Sequence, residues 1–73
     1  MDYQFNVGDD VKATDELPCA DGTWAEKGAE GRVASRDKDG LFGPIPVYTV
    51  QILTLGGFDK IAFAFQYMLE ANS

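Results

Sequence analysis

The segment EKGAEGRVASRDKDGLFGPIPVYTVQIL, residues 26–53, decides which fold this sequence can adopt. It contains half of the chain's 8 glycines and two of its 3 prolines, interleaved with Val33, Tyr48, Val50 and Ile52. Branched and aromatic residues favour extended strands, whereas glycine and proline favour the turns between them. The segment therefore predicts short strands separated by tight corners.

Within this segment we predict a strand over residues 32–36 and a second strand that begins at about Val47. Residues 37–40, DKDG, are typical of a hairpin turn. In the second strand, alternation places three large side chains on one face (Tyr48, Val50 and Ile52). Pro44 and Pro46 have no amide proton, so they belong before that strand or on a sheet edge.

The C-terminal stretch DKIAFAFQYMLEANS, residues 59–73, alternates strictly between larger and smaller side chains. This pattern predicts a strand with its large residues facing the core (Ile61, Phe63 and Phe65) and its alanines facing outward (Ala62 and Ala64). Residues 66–69 are expected to form one helical turn before a short strand at residues 69–71.

The N-terminal half predicts one strand and one long loop. Residues 10–14 alternate through Val11 and Ala13, which favours a strand. Residues 15–31 have no sustained period and contain one proline and three glycines, which is typical of a surface loop. Trp24 in this loop is either a buried anchor or an exposed binding hot spot, since both uses need its large area.

Four or five short strands and one long loop in the N-terminal half predict an all-β protein. At 73 residues and 8.0 kDa the chain forms a single domain over residues 1–73. A hydrophobic content of 45% excludes a disordered chain. A sheet this small removes its exposed edges by curling into a partly open barrel, and we expect that architecture.

The formal net charge of −6 is confined to one part of the chain. Residues 1–30 carry eight acidic and two basic side chains, whereas residues 31–73 carry four of each. Such acidity repels nucleic acid and anionic membranes, and it either keeps the protein soluble or steers a basic partner. No apolar run is long enough to span a membrane, and no basic signal peptide precedes the domain, so a cytoplasmic protein is expected.

Catalytic and metal chemistry are not predicted. The chain has no histidine, which removes the usual base near neutral pH and the usual zinc ligand. Cys19 lies between Glu16 and Asp21, whose negative charge disfavours a thiolate. Residues 35–46 resemble a calcium-binding loop, but Ser35 and Pro46 occupy the first and last ligand positions. We therefore expect no enzymatic activity, no metal and no cofactor.

The order of landmarks resembles the small SH3-like barrels of photosynthetic redox complexes. The matching segments are VGDDVKAT (7–14), EKGAEGRVAS (26–35), GPIPVYTVQI (43–52) and FAFQYMLE (63–70). They are similar to the variable (alpha) subunit of ferredoxin-thioredoxin reductase and to the E subunit of photosystem I. The resemblance implies a barrel without cofactor or chemistry that packs against an iron-sulfur subunit or a membrane complex.

These considerations predict a non-enzymatic, protein-binding accessory subunit that docks on a larger complex, such as a redox complex, through its long acidic loop. The expected partner has a basic surface or is an iron-sulfur reductase subunit. The expected contact residues are Trp24, Asp21, Glu26, Ile45 and Tyr48.

Two alternative functions remain open. The first is a small enzyme assembled at an oligomer interface, because the stretch Val50-Gln51-Ile52 resembles a motif of type II dihydrofolate reductase, a small SH3-like barrel whose active site forms only in a tetramer. The second alternative is a nucleic-acid-binding barrel.

Overall fold

The computed structural model describes residues 2–37 and 43–72. The strands, in chain order, are β1 (Asp10–Ala13), β2 (Leu17–Pro18), β3 (Trp24–Ala25), β4 (Glu30–Asp37), β5 (Val47–Thr54), β6 (Gly57–Phe65) and β7 (Leu69–Ala71). One 3₁₀ turn, Gln66–Met68, joins β6 to β7. Within these residues no helix has the length and hydropathy needed to cross a membrane.

The strands form a five-stranded antiparallel sheet in the order β6-β5-β4-β1-β7 and a separate β2-β3 ladder. The two outermost strands of the large sheet, β6 and β7, are joined by only three residues, so the two edges must approach the same corner. The sheet is therefore strongly curved, but it is not closed into a barrel. The predicted all-β fold is confirmed.

Most strand predictions are also confirmed. The N-terminal strand ends one residue earlier than expected, and β4 extends beyond the predicted residues 32–36 at both ends. The strand from Val47, the helical turn and the terminal strand lie where the sequence places them. Of the predicted turn at residues 37–40, residues 38–40 lie outside the described part of the chain.

The core lies on the concave side of the sheet and is centred on β5. Tyr48, Val50 and Ile52 are buried, as their alternation predicts. The other residues of the buried hydrophobic cluster are Phe5, Val11, Ala13, Leu17, Cys19, Ala25, Val33, Ala62, Ala64 and Leu69, and Pro46 is also fully buried. Every strand thus contributes at least one side chain to the core.

The predicted orientation of β6 is wrong. Ala62 and Ala64 face the core, whereas Phe63 is 42% exposed. The reason is the register with β5, in which Tyr48 lies opposite Ala64. Because directly opposed residues share a face of the sheet, the large Tyr48 ring on the inside requires a small partner there. The large residues of β6 must then face outward.

The long N-terminal loop contains a short hairpin, β2-β3, that the sequence does not predict. Leu17 and Ala25, which are paired in this ladder, are both buried. The hairpin also reaches the edge of β6, since Cys19 bridges to Ala62 and the Ala20 amide donates to the Ile61 carbonyl at 2.9 Å. It therefore covers part of an edge that would otherwise be open.

The N-terminal segment closes the core around a buried polar pair. The Tyr48 hydroxyl donates to Gln66 Oε1 and accepts the Phe5 amide at 3.3 Å. The Gln4 amide donates to Gln66 Oε1 at 2.8 Å, and Gln66 Nε2 donates to the Asp2 carbonyl at 3.1 Å. These bonds satisfy two side chains whose burial would otherwise be costly.

Candidate functional site

The outward face of β6 is unusually apolar. Phe63 lies on this face with Ile61 and Phe65, which are half-buried. Two further aromatic side chains are largely exposed, Trp24 at 61% and Tyr67 at 74%. The water-facing side of an antiparallel sheet is normally polar, so an aromatic face of this kind needs a functional explanation.

These aromatic residues line one groove of about 290 Å³, here called the aromatic groove. The Phe65 and Tyr67 rings stack with their centroids 5.8 Å apart and their planes 9° from parallel. The complete lining is Pro18, Trp24, Val47, Phe63, Ala64, Phe65, Tyr67 and Met68. Among the described residues, no charged side chain contributes to it.

Three parts of the chain position the groove. Pro18 and Trp24 are paired across the β2-β3 hairpin, which the Cys19 bridge holds against β6. Phe63 and Phe65 follow from the outward alternation of β6. The 3₁₀ turn then places Tyr67 and Met68 at the corner where the two sheet edges approach.

Trp24 also borders a second, more polar groove of about 480 Å³. The other lining residues of this polar groove are Ala25, Glu26, Lys27, Gly28, Ala29, Ile52, Leu53, Thr54 and Lys60. Trp24 therefore stands between two surface depressions. Its exposure excludes the buried-anchor interpretation, because a buried anchor would not leave most of the indole in water.

Two acidic residues lie in the segment between Thr14, which contacts the 3₁₀ turn, and Pro18, which lines the aromatic groove. The Thr14 amide donates to the Met68 carbonyl at 2.8 Å, and its hydroxyl donates to the Tyr67 carbonyl at 3.2 Å. Asp15 and Glu16 are exposed and connect this contact to the groove-lining hairpin. Neither has a cationic partner within residues 2–37 and 43–72.

Asp21 and Glu26, the two acidic residues predicted to contact a partner, lie in different parts of the surface. Glu26 lines the polar groove together with Trp24. Asp21 lies at the tip of the β2-β3 hairpin, where its Oδ1 accepts the Thr23 amide at 2.9 Å and the Thr23 hydroxyl at 2.5 Å. These bonds, the hydroxyl first, hold the pKa of Asp21 below its usual value, and Lys60 lowers it slightly further.

The two predicted contact residues near β5 differ in accessibility. Ile45 is exposed just before the strand. Tyr48 is 0% exposed, and its hydroxyl is held by Gln66 and the N-terminal segment. Its predicted place in a partner-binding surface is therefore corrected, since no partner can touch it without opening the core.

The sequence pattern did not predict Phe63, Phe65 and Tyr67 as contact residues. It placed both phenylalanines in the core because they are the largest residues of an alternating strand. The inward-facing Tyr48 could have indicated their position. If β6 also directed its large residues inward, the two neighbouring strands would overfill the core of a domain of 73 residues.

The described residues include no group of three or more His, Cys, Asp or Glu side chains arranged to hold a metal ion. The thiol of Cys19 is buried and points to the Leu17 carbonyl, with 3.7 Å between sulfur and oxygen. The site therefore offers apolar and aromatic area, with no charged side chain among its described lining residues.

Comparisons with protein families, with curated proteins and with solved structures found no match for this chain. Any assignment of function therefore has to come from the groove and its surroundings.

Proposed function

We propose that this chain is a non-enzymatic protein-binding module that docks on a larger complex through the aromatic groove and the acidic loop beside it. The observation that supports this most is the convergence of Trp24, Phe63 and Tyr67, all exposed, on one groove. Tryptophan and tyrosine dominate the binding energy of protein interfaces because they bury a large area with few rotatable bonds.

The size of the groove favours a protein partner over a small molecule. Its volume of about 290 Å³ lies at the lower end of the range for pockets that enclose a cofactor or drug-sized ligand. A side chain of a partner fits such a depression better. The net charge of −6 also disfavours a nucleic-acid ligand, because it repels the phosphate backbone at moderate salt.

An accessory subunit of a redox complex is the specific form of this proposal that the sequence resemblance supports. In that form the partner is an iron-sulfur reductase subunit or another protein with a basic surface. A cytoplasmic location fits a chain whose single cysteine is a buried free thiol.

The proposal is tested by capturing a partner from native lysate, purifying it and titrating it against the fluorescence of Trp24, the only tryptophan. We expect Phe63→Ala and Tyr67→Ala each to weaken binding by about tenfold or more, as interface hot spots do. Calorimetric titration of Trp24→Ala extends the comparison to the third residue.

Leu55→Ala is the matched control, because Leu55 is exposed at the β5-β6 turn outside the groove lining. Unchanged affinity in all three groove variants would overturn the proposal. Sedimentation at the same concentrations shows whether the groove instead binds a second copy of the chain.

A further inference from the structure

We infer that the occupant of the aromatic groove is an arginine side chain presented by a basic partner protein. The inference rests on the proposed function and adds the chemistry of the partner residue. It follows from three features of the described residues. These are the aromatic lining, the exposed and unpaired acids of the adjoining segment (Asp15 and Glu16), and the contacts that this chain's own arginines make with aromatic rings.

The chain already pairs arginine with aromatic rings at two places. The Arg32 guanidinium carbon lies 4.5 Å from the Phe58 ring centroid, and that of Arg36 lies 4.3 Å from the Tyr3 ring centroid. These two residues are all the arginines of the sequence. Both distances are well within the range at which a cation is attracted to the face of a ring.

Among the described residues, the aromatic groove presents the same ring chemistry without a cation. Trp24 and Phe63 contribute exposed aromatic area, and Trp24 is the ring that attracts cations most strongly. No charged side chain among the described residues lines the groove. The inferred occupant supplies the cation that this described lining lacks.

The segment that joins Thr14 to the groove-lining Pro18 supplies the charge that would attract and orient such a cation. Its two acidic residues, Asp15 and Glu16, are exposed and have no ion-pair partner in the described part of the chain. The net charge of −6 steers positively charged surfaces toward the protein at moderate salt.

Arginine suits the groove better than lysine. Its planar guanidinium stacks on rings, is weakly hydrated and accepts a carboxylate in a fork geometry, whereas an ammonium group keeps its water. The aliphatic stem can pack on apolar lining residues such as Met68 while the head reaches the carboxylates. One extended side chain also matches the small volume of the groove.

A second copy of the chain does not meet these requirements. It would bring a second net charge of −6 to the interface. Both of its arginines already lie over aromatic rings of the same chain, Phe58 and Tyr3. Arg36 in addition donates to the Phe5 carbonyl at 2.9 Å, which holds the N-terminal segment in place. The occupant is therefore a different, basic protein.

The test uses three nine-residue peptides that differ only at the central position, which is arginine, lysine or citrulline in a sequence of glycine, serine and leucine. Citrulline keeps the shape of arginine without its charge. Binding is followed by the amide and indole resonances of the ¹⁵N-labelled protein at peptide concentrations up to several millimolar.

We expect the arginine peptide to shift the Trp24 indole and to bind at least fivefold more tightly than the citrulline peptide. Raising the salt concentration should reduce this difference. The double variant Asp15→Asn, Glu16→Gln should bring the arginine peptide close to the citrulline peptide, while Leu55→Ala leaves both affinities unchanged.

Equal binding of the arginine and citrulline peptides, equal binding of the lysine peptide, or no shift at the groove would each overturn the inference. The proposed function is judged separately, by the loss of natural partner binding in the groove variants. A partner that binds through the groove without a basic residue would leave the proposed function intact and exclude arginine as the occupant.

Discussion

The two faces of β6 use opposite kinds of side chain. The inward face carries Ala62 and Ala64, which are almost completely buried, whereas the outward face carries Ile61, Phe63 and Phe65. The usual arrangement would be the reverse, since large apolar groups gain most from leaving water. The large side chains of the core therefore come from β5, whereas the large residues of β6 lie on the outer surface.

The inner face obtains its volume from one aromatic residue. Tyr48 lies opposite Ala64 and contacts the Tyr3 and Phe5 rings edge to face, at centroid distances of 6.1 and 5.5 Å. Its hydroxyl is satisfied by Gln66 and the N-terminal segment. The inner face thus combines a large buried ring with satisfied hydrogen bonds.

The largest expected effect is a difference in stability between variants of a buried and an exposed tyrosine. Tyr48→Ala should reduce the free energy of unfolding by about 3–5 kcal/mol, because it opens a large cavity and leaves Gln66 without its hydroxyl partner. Tyr67→Ala, at an exposed position, should cost less than about 1 kcal/mol. Urea unfolding followed by circular dichroism measures both, and a similar loss in the two variants would contradict the distinction between the faces.

A second pair of variants compares adjacent residues of β6. Ala62→Leu should destabilise the fold by about 1–3 kcal/mol, because the core opposite Val50 has no room for the added carbons. Phe63→Leu gives the same residue one position later, and we expect a loss below about 1 kcal/mol. Thermal unfolding of both proteins checks this, and a more stable Ala62→Leu variant would show that the inner face is underpacked.

A third pair of variants tests how closely the core side chains pack against the backbone of β4. A Cβ added at Gly31 would lie 2.6 Å from Val50 Cγ1 and 2.8 Å from the Gln51 carbonyl oxygen, so Gly31→Ala should cost about 1–2 kcal/mol. At Gly56 the nearest atom is Asp59 Oδ2, the end of a flexible side chain. Gly56→Ala should therefore be nearly neutral in the same denaturant measurement, and equal losses would argue against a filled core at Gly31.

The smallest expected effect concerns the hairpin tip that borders the outer face. The Thr23 hydroxyl lowers the pKa of Asp21 below its usual value of 3.8, so Thr23→Val should raise it toward that value. A lowered pKa stabilises the fold above the usual value, and this contribution is lost as the pH falls through the lowered pKa. Titration of the Asp21 carboxyl carbon by NMR measures the shift, and an unchanged pKa in the variant would exclude the hydroxyl as its cause.

Much of the fold could be predicted from the sequence because turn-forming residues mark the ends of its longer strands. Proline before Val47, glycines at the β5-β6 turn and strict alternation in β5 are local signals. The β2-β3 hairpin has only two residues per strand, too few for any periodicity to be visible. Its position depends on the contact of Cys19 with Ala62, which is distant in sequence.

The candidate site was less predictable for a related reason. The alternation of β6 specifies which residues share a face, but the pattern alone does not say which face is buried. That choice is made by the register with Tyr48. The exposed Trp24 was correctly recognised as one of two possibilities, whereas Phe63 and Tyr67 could be assigned to the groove only from the structure.

The pairing of β7 with β1 has a consequence for the order of folding. Val11 pairs with Ala71, sixty positions later, whereas β4, β5 and β6 pair with their neighbours in sequence. Closing such a long loop costs more entropy, so we expect β7 to dock after the β4-β5-β6 meander has formed. Since Tyr67 and Met68 immediately precede β7, the aromatic groove is completed only in the last step. If the groove binds a partner as proposed, partially folded chains cannot engage that partner, and complex formation selects fully folded molecules.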